Sequence, residues 1–192
     1  MILTPKSSFY FVRHGETNWN KQHKLMGWKD ISLNDKGIEQ AQHSAYVLNE
    51  IEIGNVFSSS LKRASETASI IGQICELEVT IIDGLKERSF GEYEGKDKDS
   101  LNDLCFVSDL NKSSNVESYE AFEMRVKKTI NDITSTKFMY PLIVSHGGVF
   151  QCLASILAKR KDILCSNGDI FYFSPSIIDK DIWDISLVET KM

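Results

Sequence analysis

Apolar and polar positions divide the chain into short apolar runs that alternate with longer amphipathic segments. The apolar runs are typical of buried strands and lie at residues 8–12, 55–58, 79–82, 142–144, 170–173 and 182–187. The amphipathic segments repeat apolar residues at helical spacing and begin near residues 34, 59, 118 and 147. Because strands alternate with helices, we predict an α/β fold of three layers, with helices on both faces of a mostly parallel sheet.

The helices also carry recognisable start signals and buried faces. We expect Ser59 or Ser60 to cap the second helix and Ser118 to cap the third, because a serine hydroxyl can accept from the first free backbone N–H groups. The apolar stripe of the first helix, expected to face the core, consists of Ile38, Ala41, Ala45 and Leu48. Residues 95–116 are mainly polar and lack periodicity, which is typical of a solvated surface loop.

Length and charge limit the classes of protein to consider. The chain has 192 residues, enough for one sizeable core, so we predict a single domain over residues 1–192. Its net charge is −5, with both signs interspersed and no basic tract. This balance disfavours nucleic acid or an anionic membrane surface as a partner, and no apolar segment is long enough to span a bilayer. The sequence does not indicate an oligomeric state.

The cysteines suggest a reducing environment. Cys75, Cys105, Cys152 and Cys165 form no C-x-x-C pair and show no spacing typical of a metal site, so we predict free thiols. The amino-terminal residues contain no basic segment leading into a long apolar run. We therefore predict a cytoplasmic location.

Candidate chemistry begins directly after the first apolar run, where Arg13, His14 and Gly15 follow one another. At the carboxyl end of a strand, the guanidinium could bind a dianionic phosphate while the imidazole faces phosphorus. Arg63 follows the second apolar run and His146 follows the fourth. Because the carboxyl ends of parallel strands meet at one edge of a sheet, we expect these side chains to converge on one ligand. No spacing typical of a zinc, calcium or nucleotide site is present, so we predict neither a metal nor a cofactor.

Four stretches carry these residues in an order that one family requires. They lie at residues 11–20, 58–68, 85–95 and 143–148. Together they resemble the histidine phosphatase superfamily, also called the phosphoglycerate mutase-like superfamily, and the resemblance runs from about residue 9 to residue 149. It implies the phosphoglycerate mutase-like fold and a metal-independent enzyme that works through a phosphohistidine. It also implies that residues 95–116 form a short cap-like segment over the pocket.

The resemblance implies a role for each candidate residue. His14 is the expected nucleophile, and Arg13, Arg63 and His146 are expected to bind the phosphoryl oxygens. Glu87 is expected to protonate the leaving oxygen and later to accept a proton from water. The residues expected to contact the phosphate end of the substrate are Asn20, Thr17, Gly15 and Gly147.

Two enzymatic activities and one binding function agree with these motifs. A phosphomonoester hydrolase acting on a small phosphorylated metabolite is favoured, because Ser89 and Phe90 stand where the mutases of the family place a histidine and a tyrosine. A cofactor-dependent phosphoglycerate mutase is the alternative, since Arg88 matches the mutase pattern. A non-catalytic phosphate-binding scaffold is disfavoured, because all five residues expected to act on the phosphoryl group are present. The sequence does not identify the substrate.

Overall fold

The computed structural model describes residues 5–98, 115–179 and 181–188 of the chain. The elements in chain order are β1 (Phe9–Arg13), α1 (Asn18–Lys21), α2 (Asp35–Leu48), β2 (Val56–Ser58), α3 (Lys62–Cys75), β3 (Val79–Ile81), α4 (Tyr119–Thr134), β4 (Leu142–Ser145), α5 (Gly147–Leu157), β5 (Ile170–Pro175) and β6 (Trp183–Leu187), with 3-10 turns at Asp83–Leu85 and Gly91–Tyr93. The predicted strands and helices are confirmed, with ends that shift by up to three residues.

The strands form one sheet with the order β3-β2-β4-β1-β5-β6. Strands β3, β2, β4 and β1 run parallel to one another, whereas β5 is antiparallel to both β1 and β6. The predicted mostly parallel sheet is therefore confirmed. The carboxyl ends of β1, β2 and β4 consequently lie next to one another at one edge, where open α/β sheets bind ligands.

Side chains that alternate along the central strands separate two apolar layers. Phe11 of β1 and Ile143 of β4 point into the cluster that α4 and α5 cover, together with Phe150 of α5. Val12 and Val144, one position further along, point into the cluster that α2 and α3 cover. Both clusters are buried, so the sheet has helices on both faces and the three-layer prediction is confirmed.

Two local predictions are wrong. Leu61, not a serine, is the N-cap of α3, because the hydroxyl of Ser59 lies against His146 and that of Ser60 against Asp83. Ile38 is 40% exposed although it belongs to the predicted apolar stripe of α2, whose other members are buried. The start of this helix instead packs through Gly37, which lies against the backbone of the loop after β1.

The predicted cap-like segment lies largely outside the described residues, since residues 99–114 are not described. Cys105 falls in the same stretch. The other three cysteines are free thiols, as predicted. Within the described residues, the helices are too short or too polar to cross a membrane.

Candidate active site

The carboxyl ends of β1 and β4 lie side by side, and a histidine follows each strand directly. Arg13 pairs with Ser145 in the parallel register, and the N–H of His14 donates to the carbonyl of Ser145 at 3.0 Å. The ring centroids of His14 and His146 consequently lie 5.2 Å apart. Arg63 enters from the first turn of α3, which follows β2 on the far side of β4. The structure therefore brings these side chains to one edge of the sheet.

His14 is held in one tautomer. The side chain is 2% exposed, and its Nδ1 lies 2.7 Å from the carbonyl oxygen of Gly15. A carbonyl oxygen only accepts, so Nδ1 carries the proton and Nε2 keeps a lone pair. Burial lowers the pKa of His14 well below its ordinary value, and the positive charges of Arg63 and Arg13 lower it further. The imidazole is thus neutral, which is the form that a nucleophile requires.

His146 is fixed by a hydroxyl group. Its Nε2 lies 2.8 Å from Oγ of Ser59, whose hydroxyl can donate to it, and Oγ accepts from the backbone N–H of Leu61 at 3.3 Å. A neutral ring that accepts through Nε2 carries its proton on Nδ1. Burial, followed by the charge of Arg63, lowers the pKa of His146 well below its ordinary value. The second ring nitrogen, Nδ1, is buried and has no hydrogen-bond partner among the described residues.

The two arginines are anchored by backbone carbonyls. Arg63 is 1% exposed, and its terminal nitrogens donate to the carbonyls of Gly27 at 2.8 Å and Lys29 at 2.9 Å. Arg13 donates from a terminal nitrogen to the carbonyl of Cys165. Burial lowers the pKa of Arg63 to about 10, although nearby carboxylates, first among them that of Glu87, oppose the shift. Arg63 therefore stays cationic at neutral pH.

Within the described part of the chain, the buried side-chain nitrogens and oxygens without a hydrogen-bond partner are Nε of Arg13, Nε of Arg63 and Nδ1 of His146. A buried polar group without a partner costs about 1–3 kcal/mol, so native structures rarely contain several together. Here all of them belong to the residues that meet at the sheet edge. A single tetrahedral oxyanion could accept from these groups at once, which is what the transition state of phosphoryl transfer requires.

Glu87 reaches the same place from the loop after β3. Its half-buried carboxylate accepts from the backbone N–H of Arg88 and, through Oε2, from that of Gly148, each at 2.9 Å. A Cβ on Gly148 would lie 2.2 Å from Oε1 of Glu87, so any other residue here would displace the carboxylate from this position. Gly148 is in the first turn of α5, immediately after His146 and Gly147. The carboxylate therefore lies next to the second histidine, where it could move a proton to or from a leaving oxygen.

The loop that carries Glu87 is fixed by an arginine that the sequence analysis did not single out. Arg125 of α4 donates to the carbonyls of Gly84, Lys86 and Glu87 at 3.0, 2.8 and 3.2 Å. It also forms a two-pronged ion pair with Glu117, at 3.0 and 2.7 Å. One side chain thus satisfies three carbonyls of the loop and holds the backbone that carries Glu87. From the sequence alone, an arginine within a helix is predicted to be exposed to solvent, and the neighbouring residues do not indicate this role.

Asn167 is a second residue that sequence reasoning missed. Its side-chain amide donates to the carbonyl of His14 at 2.8 Å and lies 3.4 Å from that of Gly15 and 3.5 Å from Oδ1 of Asn20. The carbonyl of Gly15 is the group that accepts from the imidazole of His14, so Asn167 contacts the backbone that holds this ring. The stretch Ser166 to Gly168 reads only as a turn before an apolar run.

The loop after β1 holds two residues expected to contact the phosphate. Thr17 is fully buried and caps α1, and its N–H and hydroxyl both lie 3.1 Å from Oδ1 of Asn20. These two side chains therefore stabilise each other through a capping box. Their contact with a substrate stays a prediction.

The glycines of the predicted set have different surroundings. The N–H of Gly15 donates to the hydroxyl of Thr67 at 3.1 Å, and a Cβ at this position would lie 2.2 Å from the carbonyl oxygen of Gly37. Glycine is thus required at position 15, because the backbone there is in contact with the backbone of Gly37 and leaves no room for a Cβ. Gly147 opens α5, and a Cβ there would lie 3.5 Å from Nε of Arg13. Gly147 therefore lies beside the guanidinium of Arg13, at a helix N-terminus that favours negative charge.

The family was assigned by comparison with known proteins. Residues 9–177 match the model of the histidine phosphatase superfamily, branch 1. The chain belongs to this superfamily. It is 33% identical to phosphoglycerate mutase-like protein 4 of Arabidopsis thaliana, over 92% of this chain and 82% of that protein. The resemblance found in the motifs is thereby confirmed.

Solved structures with a similar fold carry the names of both activities considered above. The α-ribazole phosphatase of Shigella flexneri is 25% identical, with a TM-score of 0.77 over 95% of this chain and 96% of that one. A phosphoglycerate mutase of Bacillus anthracis is also 25% identical, with a TM-score of 0.78 over 95% of this chain and 92% of that one. These similarities confirm the fold, and they leave the choice of substrate to the site itself.

Proposed function

We propose that this histidine phosphatase hydrolyses a small phosphomonoester through a phosphohistidine on His14. The observation that carries the proposal is the group of buried, unpartnered nitrogens on Arg13, Arg63 and His146, beside a neutral imidazole whose Nε2 lone pair is available. A phosphoryl group placed among them would have donors for its oxygens and a nucleophile in line with phosphorus.

The proposed reaction consists of two displacements. In the first, Nε2 of His14 forms a bond to phosphorus while the bond to the ester oxygen breaks, and Glu87, protonated beforehand, delivers its proton to that oxygen. In the second, water attacks phosphorus, gives a proton to Glu87 and releases phosphate, which restores the lone pair on His14. Arg13, Arg63 and His146 stabilise the charge on the three equatorial oxygens in both steps.

No metal or cofactor enters this scheme. Among the described residues, no three His, Cys, Asp or Glu side chains are arranged to hold a metal ion. We predict that turnover is insensitive to chelators of divalent metals, and a clear loss of turnover after chelation would contradict this part of the proposal. A cytoplasmic location and a single catalytic domain belong to the same proposal, supported by the free thiols and by the one continuous sheet.

A mutase is the second candidate, because a solved structure with this fold carries that name. Arg88, which matches the mutase pattern in sequence, is 2% exposed and donates from Nε to the carbonyl of Glu117 at 2.8 Å. This contact ties it to the protein interior, so its presence does not favour a mutase.

The test measures phosphate release and isomerisation in the same samples. We expect steady release of inorganic phosphate from a panel of alkyl and sugar phosphates without bisphosphoglycerate, and none from the His14→Ala variant. Interconversion of 3- and 2-phosphoglycerate with little release of phosphate would favour the mutase. Binding of phosphate esters with neither reaction would favour the non-catalytic scaffold.

A further inference from the structure

Trp28 lies between the two parts of the proposed site. The residues on either side of it, Gly27 and Lys29, supply the carbonyls that hold the guanidinium of Arg63. Its own indole Nε1 donates to the backbone carbonyl of Glu87 at 2.7 Å. The indole therefore bridges the phosphate-binding arginine and the residue proposed to protonate the leaving oxygen.

The indole is exposed and yet firmly held. Trp28 is 45% exposed, whereas the other two tryptophans of the chain are partly buried. Its backbone N–H donates to Oε1 of Glu94 at 2.8 Å, and Nζ of Lys86 lies over its ring, 5.1 Å from the centroid. Gly27 has a φ of +50°, and a Cβ there would lie 2.2 Å from the same carboxylate oxygen. The hydrogen bond to Glu94 holds the backbone that carries the ring.

Nearly half of the Trp28 surface stays in water although its indole and its backbone N–H both form hydrogen bonds. A large aromatic surface left in water gives up the stabilisation that burial provides. Because the ring is fixed before any ligand arrives, a ligand that stacks on it loses little additional conformational freedom. Binding surfaces use immobilised aromatic side chains for this reason.

We propose that Trp28 is a platform for the leaving group, and that the preferred substrates carry a flat ring on the alcohol side of the phosphoester. This inference rests on the proposed function, since it takes the side of Glu87 as the side of the leaving oxygen. In the proposed reaction the alcohol leaves on the side of Glu87, and the indole bonded to the carbonyl of that residue is exposed there. A flat ring can stack on an indole, whereas a saturated ring of similar size contacts it less completely.

The experiment compares two esters of similar size and leaving-group basicity, 2-phenylethyl phosphate and 2-cyclohexylethyl phosphate. The wild-type protein should prefer the phenyl ester in kcat/KM, and Trp28→Leu should reduce this preference by about three- to tenfold. Trp28→Phe keeps a flat ring but loses the N–H bond to Glu87, so it should keep most of the preference even if both rates fall. Tyr46→Leu, at an aromatic residue that is 65% exposed on α2, is the matched control and should change nothing.

A binding measurement separates this inference from the proposed function. In a His14→Ala background, where no turnover is expected, calorimetry should show that Trp28→Leu weakens binding of the phenyl ester more than that of the cyclohexyl ester. If Trp28→Leu changes the rates and the binding of both esters equally, the proposal that the leaving group stacks on Trp28 is wrong. A wild-type protein that binds the phenyl ester through Trp28 but releases no phosphate would overturn the proposed function and leave the platform supported.

Discussion

The two buried histidines should make the protein less stable as the pH falls. Burial lowers the pKa values of His14 and His146 well below the ordinary value near 6.5, so both stay neutral in the folded protein. In the unfolded chain they take up protons at about pH 6.5. The unfolded state thus binds more protons below that pH, and the free energy of unfolding must decrease as the pH falls.

The magnitude follows from the linkage relation. Between pH 7.5 and pH 5.5, a histidine that titrates near 6.5 only in the unfolded state reduces the free energy of unfolding by about 1.4 kcal/mol. The two histidines together should account for about 2.7 kcal/mol. Above the pKa of the unfolded histidines, the two residues cause no loss in the free energy of unfolding. The loss grows as the pH falls from that pKa toward the lower pKa values of the folded protein.

The assay is urea unfolding at both pH values in buffers free of phosphate, because a bound anion would raise the pKa of either histidine. A His14→Gln, His146→Gln double variant should lose about 2.7 kcal/mol of the difference between the two pH values, whatever its absolute stability. The matched control is His23→Gln, His43→Gln, because both of these residues are exposed, and it should retain the difference. An unchanged pH dependence in the first variant would refute the assignment of neutral, buried imidazoles.

Three further predictions concern the acid, its support and one glycine. Glu87→Gln should reduce kcat about 10²- to 10⁴-fold for alkyl phosphates. The reduction should be much smaller for p-nitrophenyl phosphate, because its leaving group needs no proton. Equal losses of kcat for both substrates would contradict the role of Glu87 as an acid. Because Arg125 positions the loop that carries Glu87, Arg125→Met should lower kcat at least about tenfold with KM nearly unchanged. Arg125→Lys, which keeps the positive charge, should show a smaller loss of kcat. Gly15→Ala should destabilise the fold by about 1–3 kcal/mol or more in urea unfolding, because its Cβ would lie 2.2 Å from the carbonyl of Gly37. Gly147→Ala, where the nearest contact is 3.5 Å, should have little effect on stability, and equal losses would contradict this account.

The arrangement of the main elements was predictable because it depends on local patterns. Short apolar runs mark strands and helical spacing marks helices, and the parallel order of β1, β4 and β2 then places their following residues at one edge. His14, Arg63 and His146 could be predicted to meet for this reason. The exposure of Ile38 could not, because the contact of Gly37 with a distant backbone turns the start of α2.

The residues that support the site were not predictable in the same way. Arg125 and Asn167 act through backbone carbonyls that lie 38 or more positions away in the sequence, and nothing in their own neighbourhoods marks the contact. Trp28 is similar, since its partner carbonyl on Glu87 lies 59 positions along the chain. Such contacts exist only once the loops are assembled on the sheet. The hydrogen bonds that hold the site in place therefore cannot be predicted from the spacing of apolar residues.

The most direct test of the central claim is a search for phosphate bound to His14 during turnover. The protein should be mixed with a phosphate ester for a fraction of one turnover, quenched in alkali, which preserves phosphohistidine, and digested for mass spectrometry. We predict one added phosphoryl group on the peptide that contains His14, labile to acid and absent from His14→Ala. Turnover by the wild-type protein without this adduct, or undiminished turnover by the variant, would contradict the account.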